Sequence, residues 1–193
     1  MEAFYTLQGE GFQSGRAAYF IRLAGCDVGC HWCDVKESWE VGREQLKNID
    51  QLVEEALAQP ARFAVITGGE PLIYNLDSLC HILIAHGFEL AIETSGAYPL
   101  SGEWHWICLS PKKRMEPLEE VYQKANELKV VIYNQDDFRW AEEQRKKVSA
   151  NCLLYLQPEW SKADKMQEHI INYIKENPAW RISLQSHKYL DIP

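Results

Sequence analysis

Residues 62–71 read RFAVITGGEP: a short apolar run, two glycines, an acid and a proline. An apolar run without polar alternation suits a strand buried on both faces, as in a parallel sheet covered by helices. The glycines allow a tight turn or a close backbone approach, and Pro71 is placed to open a helix. By itself the stretch is as readily a plain strand-to-helix turn as a ligand cradle.

The same kind of run recurs at AAYFIRLA (17–24), ELAIET (89–94), WHWICLS (104–110), ELKVVIY (127–133), CLLYLQP (152–158) and WRISLQ (180–185). Helical patterns separate several of these runs. In residues 48–59 Ile49, Leu52, Val53, Ala56 and Leu57 recur at helix spacing, with Asn48 and Gln51 available to cap the start. Residues 76–86 stop before Gly87, and 137–148 and 165–177 repeat the helical pattern. This alternation predicts an α/β fold with right-handed crossovers. Six or so strands are too few for a complete eight-stranded barrel. The expectation is a single domain over residues 1–193, folded as an open, partial parallel β/α barrel.

With 46% hydrophobic and 25% charged residues, the chain has ordinary globular composition. A net charge of -8 argues against a broad nucleic-acid surface, which needs a Lys/Arg excess. No long apolar stretch predicts a membrane span, and no basic-then-apolar leader predicts export, so a cytoplasmic protein is expected. In a reducing compartment clustered thiols bind metal or do redox chemistry more often than they form disulfides. Cys80, Cys108 and Cys152 stand singly and read as buried small hydrophobes.

Most unusual residues fall where strands end: GCDVGCHWC after the run at 17–24, then TGGEP, ETSG, SPK and LQPEW. That edge carries the ligand site in α/β sheets and barrels, so one shared pocket is expected. Cys26, Cys30 and Cys33 can converge on one face of a tight loop. A closed zinc site would enlist His31 as a fourth ligand, but zinc sites usually take two separated ligand pairs. A disulfide plus a free thiol is disfavoured by compartment. A 4Fe–4S cluster held by three thiolates leaves one iron open for substrate or cofactor. Local spacing favours the cluster over zinc and leaves both open.

The Cys-x3-Cys-x2-Cys spacing, with Trp32 before the last cysteine and TGGEP after the next strand, resembles the radical S-adenosylmethionine (SAM) superfamily. FYTLQGEG (4–11), YFIRLAGC (19–26), IETSG (92–96), SPK (110–112), LQPEW (156–160) and ISLQSHKYLDIP (182–193) resemble one branch of it, the 7-carboxy-7-deazaguanine synthase family. The resemblance implies conversion of 6-carboxy-5,6,7,8-tetrahydropterin to 7-carboxy-7-deazaguanine by C6 hydrogen abstraction, ring contraction and loss of ammonia. It also implies a homodimer, a pterin substrate, and an electron donor such as a flavodoxin or ferredoxin.

Carried onto this chain, the family pattern has Cys26, Cys30 and Cys33 ligating the cluster. Trp32, Cys33, Asp34, Gly69, Ser110, Pro111, Lys112, Gln157, Pro158, Glu159 and Trp160 would line SAM. Leu7, Gln8, Gly9 and Glu10 would meet the pterin edge, whose alternating donors and acceptors suit an amide and a carboxylate. Arg22 would pair with the substrate carboxylate, and Thr67 and the end of the chain at Pro193 would also touch the substrate. The blander readings are a surface or ion-paired Arg22 and a frayed terminus. One departure stands out: the family carries Thr or Ser after Cys-Asp as a Mg²⁺ ligand, and here Val35 offers no side-chain oxygen. Mg²⁺ dependence is therefore expected to be weakened.

His81 and His86 read as structural, His105 as packed or solvated at a strand start, and in PKKR (111–114) only Lys112 has a motif context. Two alternatives have distinct signatures. A radical-generating activase of a partner protein would not require LQGEG, Arg22 or the HKYLDIP end. A zinc-stabilised binding module would be colourless and insensitive to oxygen.

Overall fold

A run buried on both faces needs two partners, and both are present. The computed structural model describes residues 2–33, 35–43 and 46–193. One sheet holds eight strands in chain order: β1 (Glu2–Leu7), β2 (Ala17–Leu23), β3 (Phe63–Gly68), β4 (Glu89–Thr94), β5 (Trp106–Leu109), β6 (Glu127–Ile132), β7 (Leu153–Pro158) and β8 (Trp180–Ile182). β1 runs antiparallel to β2, and every later pair is parallel. The expected runs become β2 to β8. β1 is the addition, a half-exposed hairpin strand whose polar-edged sequence carries no continuous apolar run. β8 is shorter than its run, because the chain after Ile182 leaves the sheet.

The helices are α1 (Ile49–Leu57), α2 (Asp77–Ala85), α3 (Glu119–Lys124), α4 (Asp136–Arg145), α5 (Ala163–Glu176) and α6 (Ser186–Leu190). Asn48 caps α1, its side chain accepting from Asp50 N at 2.9 Å. Gln51 does not close a reciprocal box; its amide bonds Glu55 instead. Gly87 follows α2 at φ 79°, the left-handed stop its position suggested. α3 and α6 are too short to show a helical period in sequence. Among the described residues no helix is long and apolar enough to cross a membrane.

Alternate residues of each strand serve two cores. Tyr19, Ile21, Ala64, Ile66, Leu90 and Ile92 pack outward with the helices. Ala18, Phe20, Phe63, Val65 and Ala91 face inward, joined by Phe4 and Trp106. At the amino-terminal mouth the Arg16 guanidinium lies 3.8 Å from the Phe63 ring centroid and pairs with Glu89 at 2.5 Å. His105 is no idle surface histidine: its Nδ1 accepts from Leu90 N at 3.1 Å and ties the start of β5 to β4.

Candidate active site

The period of two that builds the inner core also builds the site above it. The faces that bury Phe20, Val65 and Ala91 present, two residues further on, Arg22, Thr67 and Glu93. With Lys129 of β6 and Gln157 of β7 they line a cavity of about 270 Å³ at the carboxyl ends of the strands.

The sequence-derived residues gather there. Cys26, Cys30 and Cys33 are half-buried free thiols on its wall, with Trp32 and Val35 beside them. Leu7 ends β1 and Gln8, Gly9 and Glu10 follow it in the next loop; Gly69 enters from the loop after β3, and Ser110 and Lys112 from the loop after β5. Gln157, Pro158, Glu159 and Trp160 form another side, and Pro193 reaches the rim. Pro111 does not line the cavity; it is buried behind it. Asp34 lies outside the described residues.

Several of these side chains are engaged in ways their motifs did not announce. Arg22 pairs with Glu2, its register partner on β1, at 2.5 Å. Glu159 accepts from Ser161 N and Oγ, capping the turn after β7. The glycines of TGGEP are needed for the chain rather than for open space. A Cβ on Gly68 would come 2.0 Å from Leu23 O, and one on Gly69 would come 2.2 Å from Gly25 O and 2.7 Å from Cys26 Cβ. The turn after β3 is thus pressed against the cysteine loop. Glu70 locks it there: its N–H donates to Gly25 O, and its carboxylate accepts from Leu72 N, Thr94 Oγ1, Ser95 N and Ser95 Oγ.

A buried ionic cluster forms the floor. Lys129, 3% exposed, donates to Glu10 at 2.5 Å and to Glu93 at 2.7 Å. Gln8 Nε2 bonds the other Glu93 oxygen at 3.1 Å, and Gln185 Nε2 bonds the other Glu10 oxygen at 2.9 Å. Burial penalises the Lys129 ammonium, but Cys108, Glu10 and Glu93 outweigh it and hold the amine well above the usual range. Because burial keeps Cys108 a neutral thiol, the two carboxylates are the partners that matter. Burial alone would raise Glu10; Lys129, with help from Gln185 and His187, holds it below its ordinary value. One layer deeper Glu127 accepts from Phe12 N and Trp106 Nε1 through one oxygen, and among the described residues its buried Oε1 has no donor. Burial raises its pKa.

At the other end Lys112 Nζ donates to Ser110 O and Oγ and stands 5.6 Å from the Trp32 ring centroid. Burial raises the Cys26 and Cys30 thiols, so a metal bound by them would displace protons. Among the described residues no group of three His, Cys, Asp or Glu is drawn together as a ready-made site for one metal ion. A cubane does not require that convergence, since its thiolates sit on separate irons, and three soft sulfur donors on one wall suit it.

Lys129, Glu93, Glu70, Gln185 and His187 were not singled out from sequence. A lysine inside the apolar run ELKVVIY was the available signal for Lys129, and strand period from Ala91 was the signal for Glu93.

Comparison with known proteins agrees with this geometry. The model of the Radical SAM superfamily matches residues 20–107. The 7-carboxy-7-deazaguanine synthase of Flavobacterium psychrophilum is 55% identical over 193 residues, 100% of this chain and 91% of that protein. That of Synechocystis sp. is 49% identical, with 99% and 91% covered. The crystal structure of QueE from Escherichia coli superposes with a TM-score of 0.82 at 35% identity, covering 96% of this chain and 92% of that one.

Proposed function

The chain belongs to the 7-carboxy-7-deazaguanine synthase family of the radical SAM superfamily, and from that premise we propose how its cavity divides the work. The reaction converts 6-carboxy-5,6,7,8-tetrahydropterin to 7-carboxy-7-deazaguanine. When bound, the 4Fe–4S cluster and SAM would supply the radical chemistry for hydrogen abstraction at C6, which precedes ring contraction and loss of ammonia in the substrate. Residues 1–193 act as one radical SAM core.

Cys26, Cys30 and Cys33 hold the cluster. Trp32, Asp34, Gly69, Ser110, Lys112 and the 157–160 turn bind SAM, with Pro111 shaping the loop from behind. Gln8, Glu10, Thr67 and Pro193 orient the pterin, and Arg22 takes its carboxylate through guanidinium edges not used by Glu2. Lys129 donates to both Glu10 and Glu93 and holds the Glu10 carboxyl below its ordinary range, so that the pair stand as acceptors for the ring's amino and imino protons. The observation that supports this most is that one cavity joins the three thiols to that ionic floor and to Arg22.

Residue 35 gives Mg²⁺ little to bind. Its side chain has no oxygen, and its carbonyl already accepts from Ser38 N at 3.1 Å and Ser38 Oγ at 2.7 Å. Any Mg²⁺ is held through substrate and water. A flavodoxin or ferredoxin in the cytoplasm reduces the cluster. The working form is a homodimer, for which exposed Ile182, Leu184, Tyr189 and Leu190 near the β8 edge offer apolar surface.

The test is mass spectrometry of products after anaerobic reconstitution, with SAM, a reductant and 6-carboxytetrahydropterin. Appearance of 7-carboxy-7-deazaguanine is expected. SAM cleavage without that product would keep the radical chemistry and discard the substrate. Neither outcome, from protein shown to hold its cluster, would discard both.

A further inference from the structure

The stems of the cysteine loop are held by main chain. Gly25 N donates to Ser38 O at 2.6 Å, Cys26 N to Trp39 O at 3.4 Å, and Cys33 N to Cys30 O at 3.1 Å. The span between the first two thiols is reached differently, by side chains from two other strand-end loops. The Tyr98 hydroxyl, after β4, donates to the Asp27 carboxylate. Arg114 Nη1, after β5, donates to Gly29 O at 3.0 Å. Gly29 is fitted to that partner: it sits at φ 64°, and a Cβ there would lie 2.7 Å from Arg114 Nη1. The Arg114 loop is itself anchored, because neighbouring Lys113 pairs with Asp137, whose carboxylate accepts from Tyr133 N and Asn134 N ahead of α4.

We infer that Tyr98 and Arg114 are positioning residues that clamp residues 27–29 from outside, setting the cysteine loop in its cluster-receiving shape and slowing cluster loss. A cluster with three protein thiolates has one covalent anchor fewer than a fully ligated one, so loop order matters more to its retention. Fixing a residue's backbone costs on the order of 1–2 kcal/mol. The clamp moves that ordering from the moment of iron uptake to the moment of folding. The remaining PKKR residues thereby acquire roles, Lys113 as anchor and Arg114 as clamp. The inference rests on the reading that these thiols hold a cluster.

The experiment compares wild type, Tyr98→Phe, Arg114→Met, Arg114→Lys and the double variant Tyr98→Phe/Arg114→Met, all reconstituted anaerobically. Iron and sulfide per chain, decay of visible absorption under a chelator, and amide exchange across residues 26–33 of metal-free protein are measured. Loss of outer contacts typically weakens a metal site by about 10–100-fold. The double variant is expected to lose its cluster about tenfold faster. Its loop should exchange faster at an unchanged metal-free melting temperature, and Arg114→Lys should stay near wild type. Wild-type decay and exchange in the double variant would overturn the clamp alone, and so would a parallel drop in metal-free melting temperature. A wild type that takes up no iron and sulfide would overturn the clamp and the cluster reading together.

Discussion

At Lys129 one side chain holds two carboxylates inside a low-dielectric floor, with bonds of 2.5 and 2.7 Å. Removing one partner of such a cluster leaves uncompensated charge, which costs about 3–5 kcal/mol. Lys129→Met is therefore expected to lower the urea midpoint sharply, and adding Glu93→Gln should recover part of the loss. Independent, additive effects of the two substitutions would contradict the coupling. Val35 makes the opposite point, a site defined by a missing atom. Mg²⁺ should change the wild-type rate little, and Val35→Thr should create Mg²⁺ dependence. A large Mg²⁺ stimulation of the wild type would show that side-chain oxygen at this position is dispensable. Arg22 shows how far a single residue can be read: a resemblance nominates it for substrate, the chemistry of a strand arginine nominates an ion pair, and the structure has the ion pair with Glu2 while also placing Arg22 on the cavity wall.

Elements report how local patterns are honoured or overridden. The Asn48 cap and the Gly87 stop sit where their chemistry asks. Asn48→Ala should cost about 1 kcal/mol, read as a shift in denaturant midpoint without a change in slope. A shift near zero would mean that tertiary contacts alone hold the start of α1. β2 to β7 were legible because strands buried on both faces cannot alternate, whereas β8 is an edge strand with Arg181 and Ile182 exposed and was legible only as a short apolar run. β1 was not, since it is half-exposed and earns its place by pairing with β2 rather than by its own pattern. The glycines of TGGEP were legible as a site requiring no side chains, but not for the right neighbour. What fills the missing Cβ positions is the backbone of residues 23 and 25, far off in sequence.

For the molecule as a whole, the barrel interior changes character along its axis, from the Arg16–Glu89 mouth through an aromatic layer to the ionic floor of the cavity. Glu127 sits at that transition with a burial-raised pKa. The folded chain then keeps a proton that the unfolded chain releases. The stability contributed is full below the unfolded carboxylate pKa and is lost as pH rises through the folded one. Glu127→Gln cannot titrate, so its stability relative to wild type should grow as pH is raised from 5 towards 9. Parallel pH profiles in chemical denaturation would show that Glu127 is ionised in the folded state. The seam beside β1 closes by similar long-range means: Ser186 N and Oγ donate to Gly9 O, and Gly11 N donates to Ser183 Oγ.

The sequence alone determined the α/β class, the strand ends as the edge that carries the cavity, the clustering of three thiols and the family, because period, composition and short motifs are local and survive in one dimension. The tertiary structure decided that Lys129 bridges Glu10 and Glu93, that Glu2 faces Arg22, that Gly69 makes room for Cys26, and that Tyr98 and Arg114 reach the cysteine loop. Each of these joins residues far apart in the chain. Whether such groups meet depends on strand register and crossover geometry, which single residues constrain only when the whole sheet has formed.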